Sequence, residues 1–128
     1  MGILLDTHAF LWFAEDSPLL SSTARSEIIN TKNVQVSIAS LWELSIKFSL
    51  GKLDIAPHDF RGRMERYIRL CRAEVLPVLV DHTVALTSLP MLHRDPFDRM
   101  LIAQSIAEGV PIVTHDRQIR EYACNVVW

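Results

Sequence analysis

Asp95-Pro96-Phe97-Asp98-Arg99-Met100-Leu101-Ile102-Ala103-Gln104-Ser105-Ile106-Ala107-Glu108-Gly109-Val110-Pro111-Ile112-Val113-Thr114-His115-Asp116 is a helix followed by a strand, with the punctuation of both written out. Asp95 before Pro96 reads as an N-cap and a first-turn proline, and the helix runs through about Glu108 to a terminating Gly109. Pro111–Thr114 then reads as a short strand that runs into His115-Asp116.

The same alternation extends upstream. Ile3-Leu4-Leu5 is an apolar run ending in Asp6 and reads as a buried strand. Thr7 is placed to cap a helix reaching Glu15 or Asp16, which Ser17-Pro18 breaks. A helix over Ser22–Asn30 and a turn lead to the strand Val34–Ser37. The helix Ile38–Leu50 follows, with Gly51 at its end. Pro57 opens a helix over His58–Ala73, whose Phe60, Met64, Tyr67, Ile68 and Cys71 fall at helical spacing. Glu74–Val78 reads as strand, and Asp81 as the cap of a helix ending near Leu89-Pro90. Gln118–Tyr122 reads as a short helix, and Val126–Trp128 as a last strand. Strands alternating with helices predict an α/β fold, a parallel sheet covered by helices on both faces with right-handed connections.

The 128 residues suit one domain, 1–128, and no linker or repeat divides them. Apolar residues make up 49% and charged ones 22%, the balance of a chain with a proper core. The formal net charge of −2 excludes a binder that relies on overall positive charge, so a nucleic-acid partner would need a local basic patch or a bound cation. No apolar run approaches the roughly 20 residues that span a bilayer. Met1–Phe13 carries Asp6 and no basic start, so it is not read as a signal peptide. Cys71 and Cys124 lie far apart and read as buried thiols of a reducing compartment, which makes the cytoplasm the expected location.

Two strands end in an aspartate, Asp6 and Asp116, and ligands of open α/β sheets bind beyond the carboxyl ends of the strands. Glu43 lies in the second turn of the helix after Val34–Ser37, and Asp98 in the first turn of the helix begun at Asp95. Both helices start near that same edge, so four acids from distant segments can meet. Two carboxylates about 4 Å apart repel by several kcal/mol at an effective dielectric of ~20, so such a cluster needs protons or a cation. Oxygen ligands without Cys or paired His favour Mg²⁺ or Mn²⁺, whose retained waters can supply a nucleophile for phosphodiester cleavage. Each acid also has an ordinary explanation. Asp6 can cap a helix, Asp116 can close a turn, and Asp95 fits an N-cap accepting from the Asp98 amide. Asp98 complements the helix dipole, and Glu43 can face solvent.

Taken together the segments resemble the PIN-domain family, and within it the VapC toxins of toxin–antitoxin pairs. The resemblance rests on Leu4-Leu5-Asp6-Thr7-His8, Ser37-Ile38-Ala39-Ser40-Leu41-Trp42-Glu43-Leu44 with Lys47, His93 to Gln104, and Val113-Thr114-His115-Asp116. These come in the family's order and span essentially the whole chain, and the stretch His93–Gln104 is the most specific. The resemblance implies a three-layer αβα sandwich around a four- to five-stranded parallel sheet. It implies Mg²⁺ or Mn²⁺ held by Asp6, Glu43, Asp98 and Asp116, with Asp95, Thr7 and Thr114 accessory. It further implies endonucleolytic cleavage of RNA and inhibition by a cognate antitoxin.

Lys47, Arg99 and Arg117 stand near these acids in sequence and are candidate contacts to RNA phosphates. The stripe Arg61, Arg63, Arg66, Arg69 and Arg72 is interleaved with Asp59 and Glu65 and reads first as a solvated helix face. For His8 and His115 local hydrogen bonding is expected rather than metal ligation. Phe10-Leu11-Trp12-Phe13, Trp42, Phe48 and Leu50 are large apolar residues that read first as core, and any surplus leaves a homodimer contact or a groove for an antitoxin peptide open. Three rival readings remain. A non-cleaving PIN-like binding module would be marked by a missing acid. A receiver domain needs an acidic pair after its first strand, where Asp6 stands alone. A phosphatase with an aspartyl nucleophile needs a second acid where His8 stands.

Overall fold

The structure, a computed structural model, describes residues 2–128. Five strands form one sheet, β1 (Gly2–Leu5), β2 (Asn33–Ser37), β3 (Ala73–Leu76), β4 (Ile112–Val113) and β5 (Val126–Val127). Their order is β3-β2-β1-β4-β5 and every pairing is parallel. Six helices cover the sheet: α1 (Thr7–Ala14), α2 (Ser22–Asn30), α3 (Ile38–Ser49), α4 (Phe60–Leu70), α5 (Val80–Thr87) and α6 (Pro96–Glu108). This is the expected α/β sandwich, with five strands. No helix among the described residues is long and apolar enough to cross a membrane.

The central strand explains the layering. Side chains alternate faces along a strand. Ile3 and Leu5 accordingly join one apolar cluster with Phe10, Ile28, Leu44 and Met64. Leu4 points the other way, into a second cluster with Leu101, Ile102 and Ile119. A strand buried on both faces must be apolar throughout, as Ile3-Leu4-Leu5 is. From β1 the chain adds β2 and β3 on one side and later β4 and β5 on the other. The carboxyl end of β1 therefore sits where strand order reverses, the usual place for a site.

Local chemistry moves several expected boundaries. Asp6, not Thr7, caps α1, because its Oδ1 accepts from the Ala9 amide at 2.7 Å while Thr7 is already helical. Asp81 is not a cap but lies within the first turn of α5. The N-cap is Leu79, whose amide donates to His82 Nδ1 at 3.0 Å. Helix α4 starts at Phe60 rather than His58, since the Asp59 amide is turned back onto the Ala56 carbonyl. Helix α6 ends as read, with Gly109 left-handed at φ 67. Residues 119–121 form only a 3₁₀ turn.

Phe10 is fully buried and meets Tyr67 edge-on at 6.1 Å, whereas Trp42 is 62% exposed. Phe10→Ala is expected to lower unfolding free energy by roughly 3–5 kcal/mol in denaturant titration. Trp42→Ala should change it by no more than about 1 kcal/mol.

Candidate active site

Each acid reaches the sheet edge on a different element, and each is held by a local device. Asp6 follows β1, and the Ala9 hydrogen bond that caps α1 also fixes its carboxylate. It is 93% buried in area terms, at 7% exposure. That burial pushes its pKa up, against the Thr114 hydroxyl, the Ala9 amide and His8.

Glu43 rises from α3, which begins directly after β2 because Ser37 Oγ accepts from the Ala39 amide. Thr7 Oγ1 donates to Glu43 Oε1 at 2.7 Å and lies 3.0 Å from the buried Ser40 Oγ. Lys47 Nζ stands 3.3 Å from Glu43 Oε2, one turn on.

Asp98 sits in the first turn of α6, where Asp95 Oδ1 caps the Phe97 and Asp98 amides at 2.8 and 3.2 Å. Burial raises Asp98 to about 7, with Asp95, Glu43 and Asp116 pushing the same way and His93 opposing. Asp116 follows β4. Its amide donates to Thr114 Oγ1 at 3.0 Å, and its Oδ1 accepts from the Gln118 amide at 2.9 Å.

All four acids line one cleft of about 650 Å³, together with Thr7, Lys47, Asp95 and Arg117. Thr114 is buried behind it. Arg99 does not line the cleft. Its guanidinium donates to the Pro90 carbonyl at 2.8 Å and to Tyr122 Oη at 3.3 Å, which ties the loop before α6. The arginines of α4 do not line it either, where Arg61 pairs with Glu65 and Arg63 with Asp59, and Arg72 just beyond the helix donates to carbonyls of α2.

The residue that the sequence reading gave no role is His93. Its Nε2 lies 3.1 Å from Asp116 Oδ2 and 3.2 Å from Asp98 Oδ2. Its Nδ1 accepts from the Asp95 amide at 3.1 Å, so the Nε2 carries the hydrogen and donates it to Asp116 Oδ2, with Asp98 Oδ2 close by. In that tautomer His93 joins the acids without offering them a nitrogen lone pair. His93, Asp98 and Asp116 bring their polar atoms within 4.8 Å of one another. In the sequence it opened the stretch His93–Gln104 that carries the family resemblance, two residues before the cap of α6, with no role attached. Rather than hydrogen bonding locally, as expected, His8 and His115 pack against aromatic rings, His8 on Trp12 and His115 beside Trp128.

The donor set fits a hard divalent cation, because the groups free to bind one are carboxylate oxygens. Without a cation, the raised Asp98 carries a pH signature. Its folded pKa of about 7 lies well above the ordinary aspartate range, so the neutral acid is the stabilised form. The fold is then most stable below about pH 4 with respect to this group, and loses that share as pH rises through 7. Asp98→Asn in EDTA should melt a few degrees above the parent at pH 8, and the gap should narrow toward pH 4. Thermal melts across that range check it, and an equal gap at both ends would refute the assignment.

Known proteins resemble this chain in sequence and in fold. Ribonuclease VapC22 of Mycobacterium tuberculosis is 26% identical over 120 residues, covering 94% of this chain and 91% of that protein. The fold matches VapBC2 from Rickettsia felis, solved bound to a DNA fragment from its promoter, at a TM-score of 0.74 and 15% identity, over 98% of this chain and 97% of that one. It matches FitAcB from Neisseria gonorrhoeae at 0.68 and 14% identity, over 97% and 95%. A member of the VapBC family of toxin–antitoxin systems, VapBC-5 from Mycobacterium tuberculosis, aligns at 0.60 and 20% identity, over 98% and 94%. The PIN-domain model itself matches residues 3–124, nearly the whole chain, and on that ground the chain belongs to the PIN-domain family.

Proposed function

We propose that this chain is a metal-dependent endoribonuclease, the toxin of a toxin–antitoxin pair that works in the cytoplasm. The observation that carries the reading is the meeting of Asp6, Glu43, Asp98 and Asp116 in one cleft, with Asp98 raised to about 7. Such a cluster is poised to exchange a proton for a cation. The kinship with a named ribonuclease supports cleavage of RNA, and likeness to solved toxin–antitoxin assemblies supports an antitoxin partner.

On this reading the four acids hold Mg²⁺ or Mn²⁺, which supplies an activated water and charge stabilisation for phosphodiester hydrolysis. The chain's own groups prepare that site. Thr7 and Lys47 fix the two Glu43 oxygens. His93 holds Asp116 through its Nε2–H and stands 3.2 Å from Asp98 Oδ2. Asp95 and Thr114 hold backbone amides beside the acids. Arg117, exposed at the cleft, contacts substrate phosphate. Purified protein should cut RNA with Mg²⁺ or Mn²⁺ and not in EDTA. Asp6→Asn or Asp98→Asn should slow cutting by on the order of 10²–10³. Undiminished cutting in both variants would sink the metal-site reading.

A second copy of the chain is the proposed cover for an apolar groove of about 380 Å³ between α3, α5 and α6, lined by Trp42, Val78, Leu86, Phe97 and Met100. Trp42 meets Phe97 edge-on at 5.0 Å, yet stays mostly exposed. A groove so apolar is a poor surface to leave in water. Trp42→Glu should turn a dimer into a monomer in sedimentation velocity, and a parent already monomeric would refute the dimer.

A further inference from the structure

His8 and Trp12 stand one helical turn apart on α1, and their rings stack at 5.2 Å and 23°. Both line the acid cleft, and His8 follows Asp6 by two residues. Trp128 braces Trp12 edge-on at 5.8 Å and 62°, and His115 packs on Trp128 at 5.2 Å. Core packing accounts for the inner side of Trp12, which is half-buried against the main cluster. It does not account for an exposed imidazole laid nearly parallel on its face.

We infer that the His8–Trp12 stack is a subsite for one unpaired nucleobase of an RNA strand whose phosphate lies at the neighbouring acids. This rests on the nuclease reading above and adds the part of the substrate that reading leaves open. A base has a flat π-face that extends a ring stack whatever its sequence, and only an unpaired base can leave its neighbours to do so. Exposed Arg117 on the same cleft suits the adjoining phosphate. A basic peptide would also be drawn to an acidic floor, but two overlaid flat rings favour a flat partner over a flexible chain.

The test uses the full chain carrying Asp98→Asn, so that bound strands are not cut, with Mg²⁺ present. Probes are a fluorescent single-stranded RNA, the same strand in a duplex, and a series with one abasic position moved along the strand. The single strand should bind more tightly than the duplex. One abasic position should weaken binding by on the order of tenfold. His8→Ala should erase that penalty, and Trp12→Leu should do the same. His8→Phe, which keeps a flat ring and removes the imidazole nitrogens, should retain it. His8 is exposed, so its variants are free of the folding risk that Trp12→Leu carries. Equal duplex and single-strand binding, or an abasic penalty unchanged by His8→Ala, overturns the subsite. So does loss of arginine-rich peptide binding in His8→Ala while the RNA series is unaffected. If cutting by the parent fails while the abasic penalty follows the His8 variants, the subsite stands and the nuclease reading falls. If cutting succeeds while the penalty ignores them, only the subsite falls.

Discussion

Mutual repulsion among carboxylates is the constraint around which this molecule is arranged. Asp6, Glu43, Asp98 and Asp116 line one cleft with Asp95 beside them, and no lysine or arginine sits among them except Lys47 and Arg117. Like charges this close separate unless each is tethered. Each is tethered differently here. Asp6 is bound by the Ala9 amide, Glu43 by Thr7 and Lys47, and Asp116 by the Gln118 amide and His93. Asp98 is relieved by a proton it keeps to about pH 7. None of these tethers adds much stability to the fold, so the stability must come from elsewhere.

It comes from β1. Ile3, Leu4 and Leu5 are almost wholly buried and feed both apolar clusters, so the strand that delivers Asp6 also pins the two helical layers. Parallel pairing to β2 and β4 brings the end of β1 level with Val36 and Val113, just before Ser37 and Thr114. Those two residues open the segments that carry Glu43 and Asp116. The apolar core and the acid cleft are thus joined at one residue step, Leu5 to Asp6.

What was legible in the sequence was what short range determines. The Asp95-Pro96 start and Gly109 end of α6 were readable because cap chemistry is local, and so were the strand ends that carry Asp6 and Asp116. The choice between Asp6 and Thr7 as cap was not, since adjacent short polar residues compete and tertiary geometry decides. His93 escaped because its role exists only when the loop before α6 meets the loop after β4. Arg99 looked like a cleft residue from its neighbour Asp98, but a helix turns successive side chains by about 100°, and Arg99 faces Tyr122 instead. The ring cluster of residues 8, 12, 115 and 128 escaped for the same reason as His93, being assembled from both ends of the chain.

The modest net charge of −2 then has a physical sense. A protein that grips nucleic acid by counterion release needs many lysines and arginines along the backbone track. Here Arg61 and Arg63 of α4 are engaged with Glu65 and Asp59, Arg72 with backbone carbonyls of α2, and none of them lines the cleft. On the proposed reading, the strand is held at two points of a different kind. One would be a cation held by the acids, and the other is a base on the His8–Trp12 stack. Stacking is indifferent to ionic strength to first order, and a cation ligated by four carboxylates is screened far less than a surface lysine. Recognition built this way depends little on overall charge, which is why an acidic chain with an acidic cleft can be matched to a polyanion.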